Sequence, residues 1–389
     1  MSGKELKEES YLKLSPGVSV KTLESPYLYD AITDELYEIN EEAVEFLMSC
    51  DGDTKVRDLC YDEDFVEYCL EEGLLEFDDE PSPRMIENYR SPVPSLRYLE
   101  FQITHRCNKK CKHCYIGPAK DVDMPGEKVL NALSQFEQMG GLRVMISGGE
   151  PLLHPEWEYI NSEMERFEIR RVLFSNGELI KPETAWRLAV HEVQISIDGM
   201  RKGHDALRGA GSWKKAMMGA VNVIETGLDL SVSTMIHSGN LDEFDEMNVL
   251  FQEIGVREWG IDIPCVAGRL TKKSKIIPSI EEAAPLLRFA YGGSFHGGRE
   301  GYGCGLHLAT LTPQGKMLKC GFYLDEPLGT LKEGMKKAWK RNKPMKIEEL
   351  TECAGCEFLM DCGGGCRFRA TSPTAPDPVM CHFYKSQKK

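Results

Sequence analysis

The 389-residue chain has no run of about 18 apolar residues, so it holds no helix long enough to cross a membrane. It also lacks a secretory start, because MSGKELKEES is polar where a signal peptide needs a basic end and then an apolar stretch. These absences predict a cytoplasmic protein without a membrane partner. A basic excess is missing as well. The 47 Lys and Arg stand against 62 Asp and Glu, and residues 1–80 hold 6 of the first kind against 24 of the second. Such a front repels a phosphate backbone, which argues against nucleic acid. What is plentiful is cysteine, with 14 residues. Disulfides are rare where thiols stay reduced, so these cysteines read as ligands. Ten fall in two dense groups, Cys107/Cys111/Cys114 and Cys304/Cys320/Cys353/Cys356/Cys362/Cys366/Cys381, while Cys50, Cys60, Cys69 and Cys265 are scattered and read as core thiols.

The pattern along the chain predicts three parts. Residues 1–80 read as a small winged-helix-like module: short strands at Val18–Leu23, Tyr27–Ala31 and Glu35–Ile39, helices from Glu41 and from Asp62, and a turn at Cys50–Asp53 between them. A linker rich in acid, proline and serine follows at 81–96. Over 97–296 six short apolar runs (RYLEFQIT, RVMISGG, RVLFSNG, VQISIDG, LSVSTMI, EWGIDIP) alternate with helical stretches, the pattern of an α/β partial (β/α)6 barrel. In such folds the chemistry gathers at the C-terminal ends of the strands, where Ser147–Glu150, Ser175–Gly177 and Asp198 fall. Residues 297–389 are rich in glycine and cysteine and short of long periodic segments, which suits a small domain held by metal clusters.

Cys107, Cys111 and Cys114 offer three soft thiolates within eight residues on a loop after the first barrel strand. Three thiolates suit iron-sulfur chemistry, and a four-iron cube held by three ligands keeps one iron open. From spacing alone a zinc knuckle completed by His105 or His113 stays open as an alternative. The run Cys107-Asn108-Lys109-Lys110-Cys111-Lys112-His113-Cys114, taken with Gly148-Gly149-Glu150-Pro151 at the end of the second strand, resembles the CxxxCxxC and GGEP motifs of the radical S-adenosylmethionine (SAM) superfamily. The resemblance implies that the three cysteines hold a SAM-cleaving 4Fe-4S cluster and that the Gly148–Pro151 edge receives the methionine amino group. It further implies Ser175, Asn176, Ser196, Asp198, Arg208 and Ser233 as residues lining the SAM pocket, with His113 counted among the cofactor contacts.

The spacing of Cys304, Gly315-x4-Cys320, Cys353-x2-Cys356-x5-Cys362-x3-Cys366 and Cys381 resembles the SPASM extension of radical SAM enzymes, which houses two auxiliary 4Fe-4S clusters. By that resemblance Cys353, Cys356, Cys362 and Cys381 fill the outer cluster, and Cys304, Cys320 and Cys366 hold the inner one. The inner cluster then has either an open iron for a substrate thiolate or a fourth ligand from water, Asp, Glu or the distant Cys265. Residues 10–78 resemble the leader-peptide recognition element of ribosomal peptide maturases, which captures a precursor as an added strand at a sheet edge. The acid there predicts a leader with basic character, unless it only solvates the module. The resemblances together imply a maturase that forms a thioether in a ribosomally made peptide, with reduced flavodoxin or ferredoxin as electron donor. Carbon-carbon cross-linking, epimerisation and a tetrapyrrole-modifying enzyme of haem biosynthesis are the alternatives.

Overall fold

The computed structural model describes residues 6–293, 296 and 300–387. The expected domain boundary at 296/297 falls at the edge of this range, and Gly297 itself lies outside the described residues.

The front of the chain forms two small sheets. Strands β1 (Tyr11–Leu14), β2 (Val18–Thr22), β3 (Pro26–Asp30) and β4 (Glu35–Glu38) precede helix α1 (Glu41–Ser49), and β5 (Asp51–Lys55), helix α2 (Glu63–Glu71) and β6 (Leu75–Asp78) follow. One sheet runs β5-β1-β6; the other runs β4-β3-β2 and ends on the two-residue β7 (Tyr89–Arg90). The Asn40 and Asp62 side chains cap α1 and α2 by accepting from the Ala43 and Phe65 N–H groups. The expected turn at Cys50–Asp53 is instead the start of β5. The Asp51 carboxylate does accept from the Asp53 and Thr54 N–H groups at 2.9 Å, as a turn would have it, but antiparallel pairing with β1 makes the segment a strand. Pairing with a neighbour overrides the weak strand preference of DGDTK. The expected linker is packed as well: Ile86 lies on the module's apolar core, and the Arg84 guanidinium donates to the Leu14 and Ser15 carbonyls at 2.9 and 3.0 Å.

The six apolar runs become parallel strands β8 (Tyr98–Thr104), β9 (Arg143–Gly148), β10 (Arg170–Ser175), β11 (Glu192–Ser196), β12 (Asp229–Met235) and β13 (Glu258–Asp262). Helices α3 (Gly126–Glu137), α4 (Trp157–Glu163), α5 (Pro182–Ala185), α6 (Arg201–Arg208), α7 (Ser212–Glu225) and α8 (Phe244–Glu253) connect them, giving an open partial (β/α)6 barrel. Alternation along each strand separates two faces. Leu99, Phe101, Ile103, Val144, Ile146, Leu173, Val193 and Val232 pack with the helices in the large core, while Tyr98, Met145 and Val172 cluster separately. The sheet does not stop at the barrel. Strand β14 (Leu308–Leu311) pairs parallel with β8 and carries β15 (Lys316–Leu318) and β16 (Gly329–Thr330) as antiparallel neighbours, so the cysteine-rich segment grows from the barrel's own sheet.

The module's β3–β4 turn docks at the N-terminal ends of the barrel strands. Asp34, with its side chain 3% exposed, pairs with Arg143 and lies 3.8 Å from Arg170, and its carboxylate accepts from the Tyr29 hydroxyl at 2.6 Å. Arg170 also donates to the Ile32 carbonyl at 2.6 Å, and Arg257 to the Thr33 carbonyl at 2.7 Å. Beside this node the fully buried Lys21 ammonium donates to the Glu168 carbonyl at 2.9 Å. Burial pushes Lys21 down to about 8, against the pull of Glu137 and Glu168. The unfolded chain therefore holds the extra proton between that pH and the ordinary lysine value. Stability of the wild type relative to K21M should rise by up to about 3 kcal/mol as pH climbs from 8 to 10.5, read from paired urea-unfolding curves. A constant difference across that range would show that Lys21 does not titrate there.

Candidate cofactor and cluster sites

The loop after β8 and the edge after β9 are stapled together by backbone. Gly149 N–H donates to the Thr104 carbonyl at 2.9 Å and Glu150 N–H to the Arg106 carbonyl at 2.7 Å. A Cβ on Gly148 would sit 2.1 Å from the Thr104 oxygen, and one on Gly149 would sit 2.1 Å from the Arg106 oxygen and 3.0 Å from the Cys107 Cβ. Only glycines let the cysteine loop lie this close to the strand end. Asp123 secures the other side of the loop, accepting from the Thr104 hydroxyl at 2.6 Å and from Arg106 Nε at 2.8 Å.

Within this loop the thiols of Cys107, Cys111 and Cys114 lie near enough for charge on one to act on the others. Burial pushes Cys107 up to about 11 and raises Cys111 too. Thiolates here would therefore need a compensating positive centre, which a metal cluster supplies. Arg208 adds one, with Nη1 3.9 Å from the Cys111 sulfur. The Nδ1 atom of His113 is buried without a hydrogen-bond partner, and burial drives this imidazole down to about 4. Neutral imidazole, three thiols and a guanidinium form a donor set that fits an anionic iron-sulfur cluster. His105 instead turns to Gln102, 3.4 Å away.

The expected SAM-pocket residues stand along the C-terminal strand ends. Glu150, fully buried, accepts from the Ser175 hydroxyl and the Asn176 N–H, both at 2.9 Å. Burial pushes its carboxyl up to about 7 against those two bonds. The Asn176 amide donates to Asn108 at 2.8 Å and so ties β10 to the cysteine loop. Ser196 and Ser233 are partners in the β11/β12 register. The Ser233 hydroxyl donates to Asp262 at 3.4 Å. Asp198 pairs with Arg208. Burial alone would raise Asp198, but Arg208 brings it down to about 2. Its Oδ1 accepts from Met235 N–H at 2.7 Å, and its carbonyl from Asn240 at 2.9 Å and His237 at 3.2 Å. His204 Nδ1 accepts from the Asp198 N–H at 3.2 Å, and Asp262, His204, His237 and Asn240 lie outside the set the sequence predicts. Asp262 could have been found, since it closes the sixth apolar run; the other three are placed only by the fold.

In the C-terminal segment the structure forms two neighbourhoods. Cys353, Cys356, Cys362 and Cys381 line one cavity with Phe358 and Met380. Cys304, Cys320 and Cys366 share the other, each near enough to Tyr323 to act on its hydroxyl. Between that second group and the cysteine triplet runs a ladder of rings: Tyr115–Phe322 at 5.2 Å between centroids, Phe322–Phe368 at 5.0 Å and Tyr323–Phe368 at 5.6 Å. The Tyr115 hydroxyl donates to Glu100, whose carboxylate also takes the Thr310 hydroxyl at 2.8 Å.

Residues 101–250 match the sequence model of the Radical SAM superfamily, a span that contains the triplet and the glycine edge. That domain implies SAM and one 4Fe-4S cluster. The chain is 27% identical over 340 residues to an AdoMet-dependent heme synthase of Nitratidesulfovibrio vulgaris, covering 74% of this chain and 91% of that protein. It is 26% identical over 346 residues to the mycofactocin maturase MftC of Mycobacterium ulcerans, covering 78% of this chain and 92% of that one. Among solved structures, Streptococcus suis SuiB bound to its precursor peptide SuiA aligns with a TM-score of 0.68 at 15% identity, over 95% of this chain and 99% of that one. A second, anSMEcpe with bound AdoMet, aligns with a TM-score of 0.59 at 19% identity over 74% of this chain and 94% of that one. At those identities the two structural likenesses show the fold.

Proposed function

We propose that this radical SAM chain matures a ribosomally made peptide, joining a cysteine sulfur to a carbon of another residue as a thioether. The observation that carries the peptide reading is an open sheet edge on the front module. Among the described residues strand β4 is a sheet edge, paired only with β3. Across from it, Tyr68 of α2 meets Tyr37 of β4 edge to face at 6.4 Å. Tyr68 is 45% exposed. Glu35 and Glu72 both lie close enough to act on the Tyr37 hydroxyl, so the rim is acidic. An extended segment laid beside β4 would gain backbone hydrogen bonds, stack its side chains on the two tyrosines, and place any Lys or Arg against the carboxylates. The similarity to MftC and the fold shared with a SuiB structure that holds its precursor peptide support the same reading.

SAM on the Cys107/Cys111/Cys114 cluster would supply the hydrogen-abstracting radical chemistry. The chain's own residues shape that site: Gly148 and Gly149 bring the cysteine loop against the strand edge, Glu150 and Ser175 brace it, and the Asp198–Arg208 pair closes its far side. Cys304, Cys320 and Cys366 would hold an inner auxiliary cluster, and Cys353, Cys356, Cys362 and Cys381 an outer one. Each link would remove one C–H and one S–H hydrogen from the peptide: SAM, cleaved with an electron from reduced flavodoxin or ferredoxin, would supply the acceptor for the first, solvent would take the S–H proton, and the C-terminal cysteines would hold clusters able to accept the electron left over.

Where a short peptide is encoded beside the gene, the test is its mass after anaerobic co-expression. A loss of two hydrogens per link with fewer alkylatable thiols is the expected result; the same loss with all thiols intact would replace the thioether by a carbon-carbon link. The similarity to an AdoMet-dependent heme synthase favours one second reading, a tetrapyrrole substrate. An unmodified peptide of unchanged stereochemistry, with SAM still cleaved, would select it.

A further inference from the structure

Cys265 follows β13 and belongs by position to the barrel, 39 residues before Cys304. It reads in the sequence as a core thiol, and it is indeed 6% exposed. Its surroundings are not those of a core thiol. The Cys265 thiol lies beside that of Cys366, close enough for each to act on the other. Arg369 Nη1 lies 3.8 Å from the Cys265 sulfur. The same guanidinium donates to Asp377 at 2.6 and 3.0 Å, and Asp377 also takes the Cys366 N–H at 2.9 Å. One aspartate thus fixes both the backbone of Cys366 and the cation that faces Cys265.

The loop that carries Cys265 has little freedom to move away. A Cβ on Gly268 would lie 2.3 Å from the Cys114 carbonyl oxygen and 2.4 Å from that of Tyr115. The Arg269 N–H donates to the Cys114 carbonyl at 2.9 Å. The loop therefore presses on the first cysteine group at one end and presents a thiol to the second at the other. A thiol held in a buried contact with another, facing a cation, has the environment of a thiolate ligand.

We propose that Cys265 is the fourth protein ligand of the inner auxiliary cluster, a proposal that rests on the reading of Cys304, Cys320 and Cys366 as its other three. On binding, the Cys265 thiol gives its proton to solvent and its sulfur closes the last iron position. The inner cluster then has no site for a substrate sulfur and serves to accept an electron, so the peptide cysteine attacks without being bound to iron.

Iron and sulfide content and electron paramagnetic resonance of the anaerobically reconstituted full chain test this. In the wild type, addition of excess 2-mercaptoethanol should leave the inner-cluster signal unchanged. In C265A the inner cluster should either be lost, with about four irons fewer per chain as in C366A, or persist with a signal that the added thiol alters. C265S should keep the iron with a shifted signal, and C60S, at an exposed cysteine, should match the wild type throughout. A wild-type inner-cluster signal that changes with the thiol would overturn the proposal without recourse to any variant. So would C265A with wild-type iron and spectrum beside a C366A that has lost iron. If C304A and C366A both retain full iron, the three-cysteine reading itself fails.

Discussion

C111A should release no 5′-deoxyadenosine from SAM above background while retaining most of its iron. Cys111 is the most enclosed member of the triplet, 8% exposed, with the Arg208 guanidinium 3.9 Å from its sulfur. Its alanine variant leaves two thiols where an anionic cluster needs three thiolates. The loss in iron should be about four per chain, since the C-terminal cysteines are untouched. Chromatography of the reaction products beside iron analysis reads both quantities. SAM cleavage at the wild-type rate in C111A would remove the triplet from the chemistry.

D34A should lower the stability of the fold by about 3–5 kcal/mol, the range for removing one partner from a buried ion pair. Among the described residues Arg143 would keep only Glu258 at 3.6 Å as an ion-pair partner, and the Tyr29 hydroxyl would lose its acceptor. Arg170 would keep Glu192 at 2.9 Å and Asp229 at 2.6 Å, so the larger share of the cost falls on Arg143. Asp34 also sits at φ 66°, a left-handed conformation that alanine tolerates less well than aspartate. D34N keeps that tolerance and isolates the charge. Urea unfolding of the three chains should therefore order them wild type, D34N, D34A, and an alanine variant as stable as the wild type would show that the turn contributes nothing to the joint.

The sequence is most legible where local pattern and chemistry coincide. Five of the six apolar runs carry a small or polar residue where their strand ends, at Thr104, Gly148, Ser175, Ser196 and Asp262, and the glycine edge stands out because a cysteine loop can approach a strand only over residues without Cβ. Legibility fails where a neighbour decides. DGDTK carries turn chemistry and becomes β5 because β1 lies beside it. Nothing in LATL announces that it will join β8 across more than 200 residues of chain. The acidic front reads as a uniform property of the surface, yet Glu24 and Asp34 are spent on barrel arginines, Glu24 at 2.5 Å from Arg97. Cys265 is a partial case: the ligand count of the inner group leaves it as one candidate among several, but its place beside Cys366 is set by how the last barrel strand feeds into a tail that begins dozens of residues later.

The docking of the β3–β4 turn also turns the enzyme into a ruler. The turn holds the module at the N-terminal ends of the barrel strands, whereas the cysteine loop and glycine edge sit at the C-terminal ends. A strand of seven residues such as β8 spans about 23 Å between those two levels. On the proposed peptide reading, a precursor anchored along β4 would have to climb that height before any of its residues reached the chemistry. An extended stretch of at least about seven residues would thus separate the part of the precursor that is gripped from the part that is altered, and residues nearer the anchor would be spared by distance alone.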